Sequence, residues 1–268
     1  MKQILVPIDF SECSINALNY AVGLSKLTHK RLLILHAVQV PAIAGGEMEP
    51  GKEVEREVEE EFTSIKKSVP QLTEVEFEFQ ISFDFLLTSL RKLSDQVDLI
   101  VMGTTGASGV KEALIGSNTL DVIKEIGIPV IAIPEQNDSL TVGTMAFASD
   151  YKEIVNMNDI KPMVDLARIR NSEIHILHIG EGNNITREEL NAGKSQEQIF
   201  KQVRHSYHFI NGTNVAAEIN QYLENNGIKL LVLYARKHSL TEKIFHKSVT
   251  REMALHSKIP VFVLPEND

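Results

Sequence analysis

Residues Gly127 to Glu135 read "GIPVIAIPE", and residues Lys258 to Glu266 read "KIPVFVLPE". Each stretch is a short apolar run bounded by prolines and preceded by a helix-like segment. Such a run is typical of a buried strand, with proline confined to its ends. The return of this strand near the end of each half of the chain is the first sign of an internal repeat.

Three further segments recur upstream in the same order. They are "DLIVMG" (98–103) with "KLLVLY" (229–234), "LLILHA" (32–37) with "IHILHI" (174–179), and "ILVPIDFSE" (4–12) with "MAFASDYKE" (145–153). The match pairs Asp9 with Asp150 and His36 with His178. Recurring landmarks in one order indicate a duplicated domain. The polar stretch "EQNDSL" is the natural linker, so we predict domains over residues 1–137 and 141–268.

Within the first half, predicted strands and helices alternate. Apolar runs mark the strands, and apolar residues at helical spacing mark the helices. The predicted strands cover residues 3–8, 31–38, 75–81, 99–102 and 129–133, and the predicted helices begin at Ser11 or cover 53–67, 85–93 and 120–126. The second half follows the same order. This alternation predicts an α/β, Rossmann-like fold, with a five-stranded parallel sheet and helices on both faces in each domain.

The composition limits the classes of function. The chain has 268 residues, of which 43% are hydrophobic, and this suits two small domains that each bury a core. A net charge of −9 without a basic stripe argues against a nucleic-acid partner. No apolar run reaches the length of a membrane span, and the first residues lack the features of a signal peptide. The single cysteine, Cys13, fits a reducing compartment, so we expect a cytoplasmic protein.

The stretch "MGTTGASGVKEALIGSNT" (102–119) carries a spaced set of glycines that follows a predicted strand. Gly103 and Gly106 are separated by two residues, and Gly116 with Ser117 follows nine residues later. Ligands of parallel sheets sit beyond the carboxyl ends of the strands. Glycine lets the backbone turn tightly and approach a ligand, and a helix N-terminus suits phosphate. Asp9 leaves the first strand at the same edge, where a carboxylate could bind ribose hydroxyls, so the pattern predicts a nucleotide site.

With these residues, the chain resembles a tandem universal stress protein. The resemblance rests on "ILVPIDFSE", "LLILHA", "MGTTG", "IGSNT" and "IPVIAIP", and it covers essentially the whole chain, more strongly in the first half. It implies binding of ATP or another adenine nucleotide, usually with Mg²⁺, and a cytoplasmic role under stress. It also implies pairing through the last strand of the domain, either between the two halves as an internal pseudo-dimer or in a homodimer.

The resemblance assigns parts of the nucleotide to residues of the first half. Pro7, Ile8 and Asp9 would lie along adenine and ribose, Ala37 near the base, Met102 and Gly103 on the ribose side, and Gly106, Gly116, Ser117, Asn118 and Thr119 at the phosphates. Asn118 departs mildly from the small or apolar residue common at its position. No metal ligands or catalytic residues are assigned.

The second half departs much further from the family pattern. Gly103 is replaced by Tyr234, Gly106 by Lys237 and Gly116 by Lys247. A tyrosine in place of the first glycine restricts the turn and fills space, so we expect one competent nucleotide site, in the first half. The two lysines could still attract some other anion.

Other polar residues have plainer interpretations. We interpret His36 and His178 as packed, hydrogen-bonded histidines, and Cys13 as a half-buried inert thiol. His205 and His208 lack the further ligands that zinc needs. The acidic run in 53–62 predicts a solvated helix face, whereas the preceding loop, residues 40–52, is either a lid over the nucleotide or simply mobile.

Three classes of function fit this pattern. The first is an ATP-binding sensor or regulator. The second is an enzyme that hydrolyses ATP, and we expect its hydrolysis to be slow because no catalytic base stands near the predicted γ-phosphate. Adenylating enzymes would carry a glycine-rich loop after the first strand, where this chain has "DFSECS". The third is an interaction protein with an empty pocket.

Overall fold

The computed structural model describes residues 2–38, 52–104, 117–137, 140–141, 143–149, 156–180, 197–236 and 249–267. The chain divides into two compact units, Met1–Leu140 and Thr141–Asp268. No helix in the described ranges is both long enough and apolar enough to cross a membrane.

The first unit alternates strands with helices. Its elements are β1 (Gln3–Ile8), α1 (Glu12–Thr28), β2 (Leu32–Ala37), α2 (Lys52–Ser68), a 3-10 helix (Pro70–Glu74), β3 (Phe77–Ser82), α3 (Leu86–Leu93), a 3-10 turn (Ser94–Gln96), β4 (Val97–Gly103), α4 (Ser117–Glu125) and β5 (Val130–Ile133). The strands run in the order β3-β2-β1-β4-β5, and every neighbouring pair is parallel. The predicted α/β fold with a five-stranded parallel sheet is therefore confirmed for this unit.

The core of the first unit lies on its central strand and first helix. Ile4, Leu5 and Val6 of β1 are fully buried, as are Leu18 and Val22 of α1. The predicted start of α1 is confirmed, because the Ser11 Oγ accepts a hydrogen bond from the Ser14 amide at 3.2 Å. This serine cap satisfies one of the amides that a helix start leaves unpaired.

Helix α2 is amphipathic, as its sequence predicts. Val58, Phe62 and Ile65 are buried, Val54 is half-buried, and the remaining positions are exposed and carry the acidic residues. The Phe62 ring stacks on the Phe79 ring of β3 with centroids 3.8 Å apart. This contact fixes the helix on the outer strand of the sheet.

Several boundaries in the first unit differ from the predictions by one to three residues, and two of these differences have a clear physical reason. Helix α4 begins at Ser117, three residues before the predicted start, because its first turn is polar and lacks the apolar spacing on which the prediction relied. Strand β3 begins at Phe77, because Pro70–Glu74 form a 3-10 helix that delays entry into the sheet.

The second unit repeats this arrangement. Its elements are β6 (Met145–Ala148), a 3-10 turn (Met157–Asp159), α5 (Lys161–Arg170), β7 (Ile174–Gly180), β8 (His205–Asn211), α6 (Val215–Asn225), β9 (Leu230–Ala235), α7 (Val249–His256) and β10 (Val261–Pro265). The strand order is β8-β7-β6-β9-β10, again all parallel. This is the order of the first unit, so the duplication inferred from the sequence is confirmed at the level of topology.

Candidate functional site

Three strands of the first unit end side by side. Strand β1 lies between β2 and β4, and the three strands are parallel. Their carboxyl ends are Ile8, Ala37 and Gly103, so the residues that follow them share one edge of the sheet. In parallel sheets, this is the edge at which ligands bind.

Asp9 follows β1 and is exposed. Its Oδ1 accepts hydrogen bonds from the Ser11 hydroxyl at 2.5 Å and from the Ser11 amide at 3.2 Å. Ser11 in turn caps α1, so the carboxylate is oriented by the helix start without being buried.

Phe10 and His36 form an aromatic pair beside Asp9. Phe10 adopts the left-handed backbone conformation, with φ of 63°, and its ring centroid lies 4.5 Å from that of His36. The His36 Nδ1 lies 2.9 Å from the Ile8 carbonyl oxygen. Because a carbonyl only accepts, the hydrogen is on Nδ1. The packed, hydrogen-bonded histidine predicted from the sequence is confirmed.

Gly103 ends β4 in close contact with helix α1. A Cβ at this position would lie 2.7 Å from the Cys13 Sγ and 2.8 Å from the Cys13 carbonyl oxygen. The glycine pattern predicted a tight turn and ligand approach at this position, whereas the structure shows that the approach of α1 already requires a glycine. Cys13 itself is 3% exposed, more buried than the predicted half-buried thiol, and its Sγ lies 3.4 Å from the Ile133 carbonyl oxygen.

Helix α4 starts beside the end of β4. The Thr119 hydroxyl, 2% exposed, donates a hydrogen bond of 2.9 Å to the Gly103 carbonyl. Asn118 is exposed in the same first turn. The first amides of a helix have no partner within the helix, and together with the helix dipole they favour anions.

The remaining predicted site residues fall into two groups. Pro7, Ile8 and Met102 are buried strand residues, and Ala37 is half-buried at the end of β2. Gly106, Gly116 and the Ser117 side chain lie outside the described residues, as does the predicted lid at residues 40–51. The structure thus brings Asp9, Ala37, Gly103 and the start of α4 to one edge, and it leaves the middle of the glycine loop untested.

In the second unit, Tyr234 stands where the first unit has Gly103. Its hydroxyl donates to the Oδ2 of Asp159, a buried carboxylate, at 2.9 Å. Asn267 donates to the same carboxylate from its backbone amide and from its side chain, both at 3.1 Å. Burial, and then the hydrogen bond to Asp159, raise the pKa of Tyr234 well above its usual value. Where Gly103 of the first unit packs directly against α1, the second unit therefore has a phenol in a polar network.

This network was missed by the sequence analysis. Asp159 precedes α5 in a short 3-10 turn and has no recognisable motif. The only sequence signal for this network is the tyrosine that replaces the glycine at the position of Gly103. Asp150, Lys237 and Lys247 lie outside the described residues, so the predicted anion attraction by the two lysines stays a prediction.

The sequence "HSYH" places its two histidines on opposite faces of β8. The His205 Nδ1 lies 3.1 Å from the Val203 carbonyl. His208 joins a second polar cluster, in which its Nε2 lies 2.9 Å from the Ser206 hydroxyl and its ring centroid lies 4.5 Å from that of His175.

Other groups complete this cluster. The Ser206 hydroxyl donates to Glu173 at 2.9 Å, and the His175 Nδ1 lies 2.8 Å from the Tyr222 hydroxyl. Burial and the charge of His175 lower the pKa of His208, and Glu173 opposes this shift. Within the described ranges, no group of three or more His, Cys, Asp and Glu side chains could hold a metal ion.

The first unit is thus an α/β domain in which the carboxyl ends of parallel strands and the start of a helix lie at the same edge of the sheet. This is the edge at which doubly wound α/β sheets bind their ligands. The model of the universal stress protein family matches residues 1–134 and 160–265. Because these residues form most of the chain, it belongs to the universal stress protein family. The resemblance inferred from the sequence is confirmed.

Individual relatives agree with this assignment. One universal stress protein of Methanocaldococcus jannaschii is 30% identical over 139 residues, which cover 49% of this chain and 81% of that protein. Another from the same organism is 27% identical over 157 residues, covering 51% of this chain and 96% of that protein. The crystal structure of a universal stress protein from Archaeoglobus fulgidus matches with a TM-score of 0.75 at 18% identity, covering 99% of this chain and 98% of that one. This last match shows the fold alone.

Proposed function

We propose that this chain is an ATP-binding stress protein, with one nucleotide site at the carboxyl edge of its first unit, and that it acts as a nucleotide-dependent sensor or regulator. The observation that carries the proposal is the convergence of an exposed carboxylate, Asp9, with the start of α4 beside Gly103. The carboxylate can bind the sugar of a nucleotide, and the start of the helix can bind its phosphates.

The geometry of Asp9 supports the sugar end of the site. Its carboxylate is exposed at the edge and oriented by Ser11. A charged acceptor makes stronger hydrogen bonds to hydroxyl groups than a neutral acceptor does. Two adjacent ribose hydroxyls are suitable donors, and the half-buried Ala37 on the neighbouring strand offers a small surface for the base.

The start of α4 supports the phosphate end. Its amides favour anions, and Ser117 and Asn118 add polar side-chain types to its first turn. Mg²⁺ in this proposal arrives with the nucleotide and neutralises its phosphates. The protein would contribute the helix start to the phosphates, and no side chain of the chain is assigned to the metal.

The second unit is proposed not to bind ATP. The counterpart of Gly103 is Tyr234, whose hydroxyl is bonded to buried Asp159. The second unit therefore lacks the glycine of the proposed site, and its tyrosine is held in place because losing this bond would leave a buried carboxylate with fewer donors. The pairing of the two domains through their last strands, a homodimer and a cytoplasmic location remain predictions from the resemblance.

The test begins with protein purified without added nucleotide. After denaturation, the small molecules released are identified by chromatography and mass spectrometry, and the refolded or nucleotide-free protein is titrated with Mg-ATP by calorimetry. We expect one adenine nucleotide per chain. Two per chain would contradict the proposed loss of the second site, and no binding in the titration would favour an interaction protein without a nucleotide.

A matched pair of variants locates the site. Asp9→Asn should weaken ATP binding by about tenfold to a hundredfold, because a hydrogen bond to a charged acceptor is lost. Asp150→Asn changes the counterpart in the second half and should leave the affinity unchanged. If the parent protein released ADP or AMP from ATP during long incubation, the result would favour a slow ATP-hydrolysing enzyme.

A further inference from the structure

The hydrogen bond between Thr119 and Gly103 joins the two sides of the glycine loop. Gly103 ends β4 before residues 105–116, and Thr119 lies in the first turn of α4 after them. The bond is 2.9 Å long, and the threonine is 2% exposed. A buried hydrogen bond that closes a segment of chain restricts the relative position of the two ends of that segment.

The hydroxyl of Thr119 is already committed as a donor. A threonine hydroxyl has a single hydrogen, and here that hydrogen goes to the Gly103 carbonyl, which can only accept. The lone pairs that remain on the hydroxyl oxygen would repel an anionic phosphate rather than bind it. The Thr119 hydroxyl therefore does not bind phosphate directly, although the family resemblance implies that role for it.

Gly103 is held from a second side by α1. A Cβ there would lie 2.8 Å from the Cys13 carbonyl oxygen, so strand and helix are in close contact. The amide of the next residue, Thr104, donates to the Ile133 carbonyl at 3.0 Å. The carbonyl that receives the Thr119 hydroxyl therefore belongs to a rigid strand end, and the bond transmits that rigidity to α4.

The second unit offers a natural comparison. By the sequence repeat, Thr250 in α7 corresponds to Thr119, and Tyr234 corresponds to Gly103. Thr250 is half-buried, and its hydroxyl forms no hydrogen bond within the part of the chain that the structure describes. The second unit nevertheless has the same strand order. The fold therefore does not need this bond, which is found in the unit that retains the glycine motif.

We propose that Thr119 is a positioning residue: its hydroxyl holds the first turn of α4 against the end of β4, so that the free amides of the helix face the phosphates of the nucleotide. The proposal rests on the proposed function of the first unit. It assigns Thr119 to the preorganisation of the phosphate end and not to contact with the ligand. Preorganised donors bind more tightly because less order must be imposed on binding.

The first measurement is amide hydrogen exchange of the full chain without nucleotide. Thr119→Val keeps the shape of the side chain and removes the hydroxyl, and Thr119→Ser keeps the hydroxyl. Exchange in the first turn of α4 should become faster in the valine variant and stay at the parent rate in the serine variant. Thr250→Val is the matched control and should leave α4 unchanged.

The second measurement compares ATP with adenosine by calorimetry. Thr119→Val should weaken ATP binding by about tenfold. Adenosine lacks phosphates, so its affinity should stay at the parent value. Thr119→Ser should restore the ATP affinity. Thr119→Ala, which removes the hydroxyl without burying an extra methyl group against the Gly103 carbonyl, serves as the second variant if the valine protein does not fold.

Each contrary result has a separate meaning. Unchanged ATP affinity in the valine and alanine variants would overturn the proposal, and so would an equal loss for ATP and adenosine. A loss of ATP affinity without faster exchange would show that the hydroxyl binds phosphate directly, which also overturns it. If the parent protein binds neither ATP nor adenosine, the proposed function itself fails, and the exchange data alone then decide whether the bond restrains α4.

Discussion

The His36 Nδ1 lies 2.9 Å from the carbonyl oxygen of Ile8, and the contact recurs in the second unit, where the His178 Nδ1 lies 3.4 Å from the Ser149 carbonyl. In both units, this contact joins the end of the second strand to the end of the first. It occurs whether or not the glycine motif is present. We therefore assign the histidine to the fold and not to the nucleotide.

This assignment predicts how His36→Phe behaves. The variant keeps a ring beside Phe10 but removes the donor to Ile8. We expect the free energy of unfolding to fall by about 1–2 kcal/mol, the cost of leaving an acceptor without its donor. The ATP affinity should change little. Urea unfolding and calorimetry measure the two quantities. His178→Phe is the control and should cost less, because its hydrogen bond is longer.

Gly103→Ala should destabilise the first unit. The added methyl group would lie within 3 Å of both the sulfur and the carbonyl oxygen of Cys13. Overpacking of this kind costs about 1–3 kcal/mol. Thermal unfolding measures the effect.

A double variant tests the cause of this loss. Cys13→Ala removes the sulfur but leaves the carbonyl oxygen at 2.8 Å from the new methyl group. The double variant Gly103→Ala with Cys13→Ala should therefore recover only part of the loss. Full recovery would show that the backbone of α1 yields easily and that the sulfur alone excludes a side chain.

Tyr234→Phe removes one of the three donors to Asp159. Hydrogen bonds to charged groups contribute about 1.5–3 kcal/mol. Because Asn267 still donates twice to the carboxylate, we expect the free energy of unfolding of the second unit to fall by an amount at the lower end of this range. The variant should not gain a second ATP site, because the ring still fills the space. An increase in bound nucleotide per chain would contradict this expectation.

The cluster around His208 predicts a stability that depends on pH. Burial and the neighbouring His175 lower the pKa of His208 below 6.5 in the folded protein. The unfolded chain therefore binds more protons once the pH falls below about 6.5, and the free energy of unfolding decreases from there downward. His208→Gln removes this group. Its unfolding free energy, measured by urea at pH 7.5, 6.5 and 5.5, should decline less steeply than that of the parent.

The fold was largely predictable from local pattern. Apolar runs located the strands, and the repeat of "IPVIAIP" in "IPVFVLP" established the two domains. Strand alternation could also have placed His205 and His208 on opposite faces, because residues three apart in a strand point in opposite directions.

Contacts between residues distant in sequence were not predictable. The need for glycine at 103 comes from Cys13, which reaches the strand end from a helix ninety residues earlier in the chain. The partner of Tyr234 is Asp159, which has no motif around it. The polar first turn of α4 hid the start of that helix, because a helix start depends on capping and not on apolar spacing.

The burial of Cys13 means that the reactivity of its thiol reports local opening of the first unit. It is the single cysteine of the sequence and is 3% exposed, packed from the first turn of α1 against the end of β4. A thiol reagent can reach it only when this contact opens, so the rate of modification counts those openings. A ligand that bridges the strand ends would slow the reaction. Nucleotide binding and release could thus be followed in real time without an attached dye.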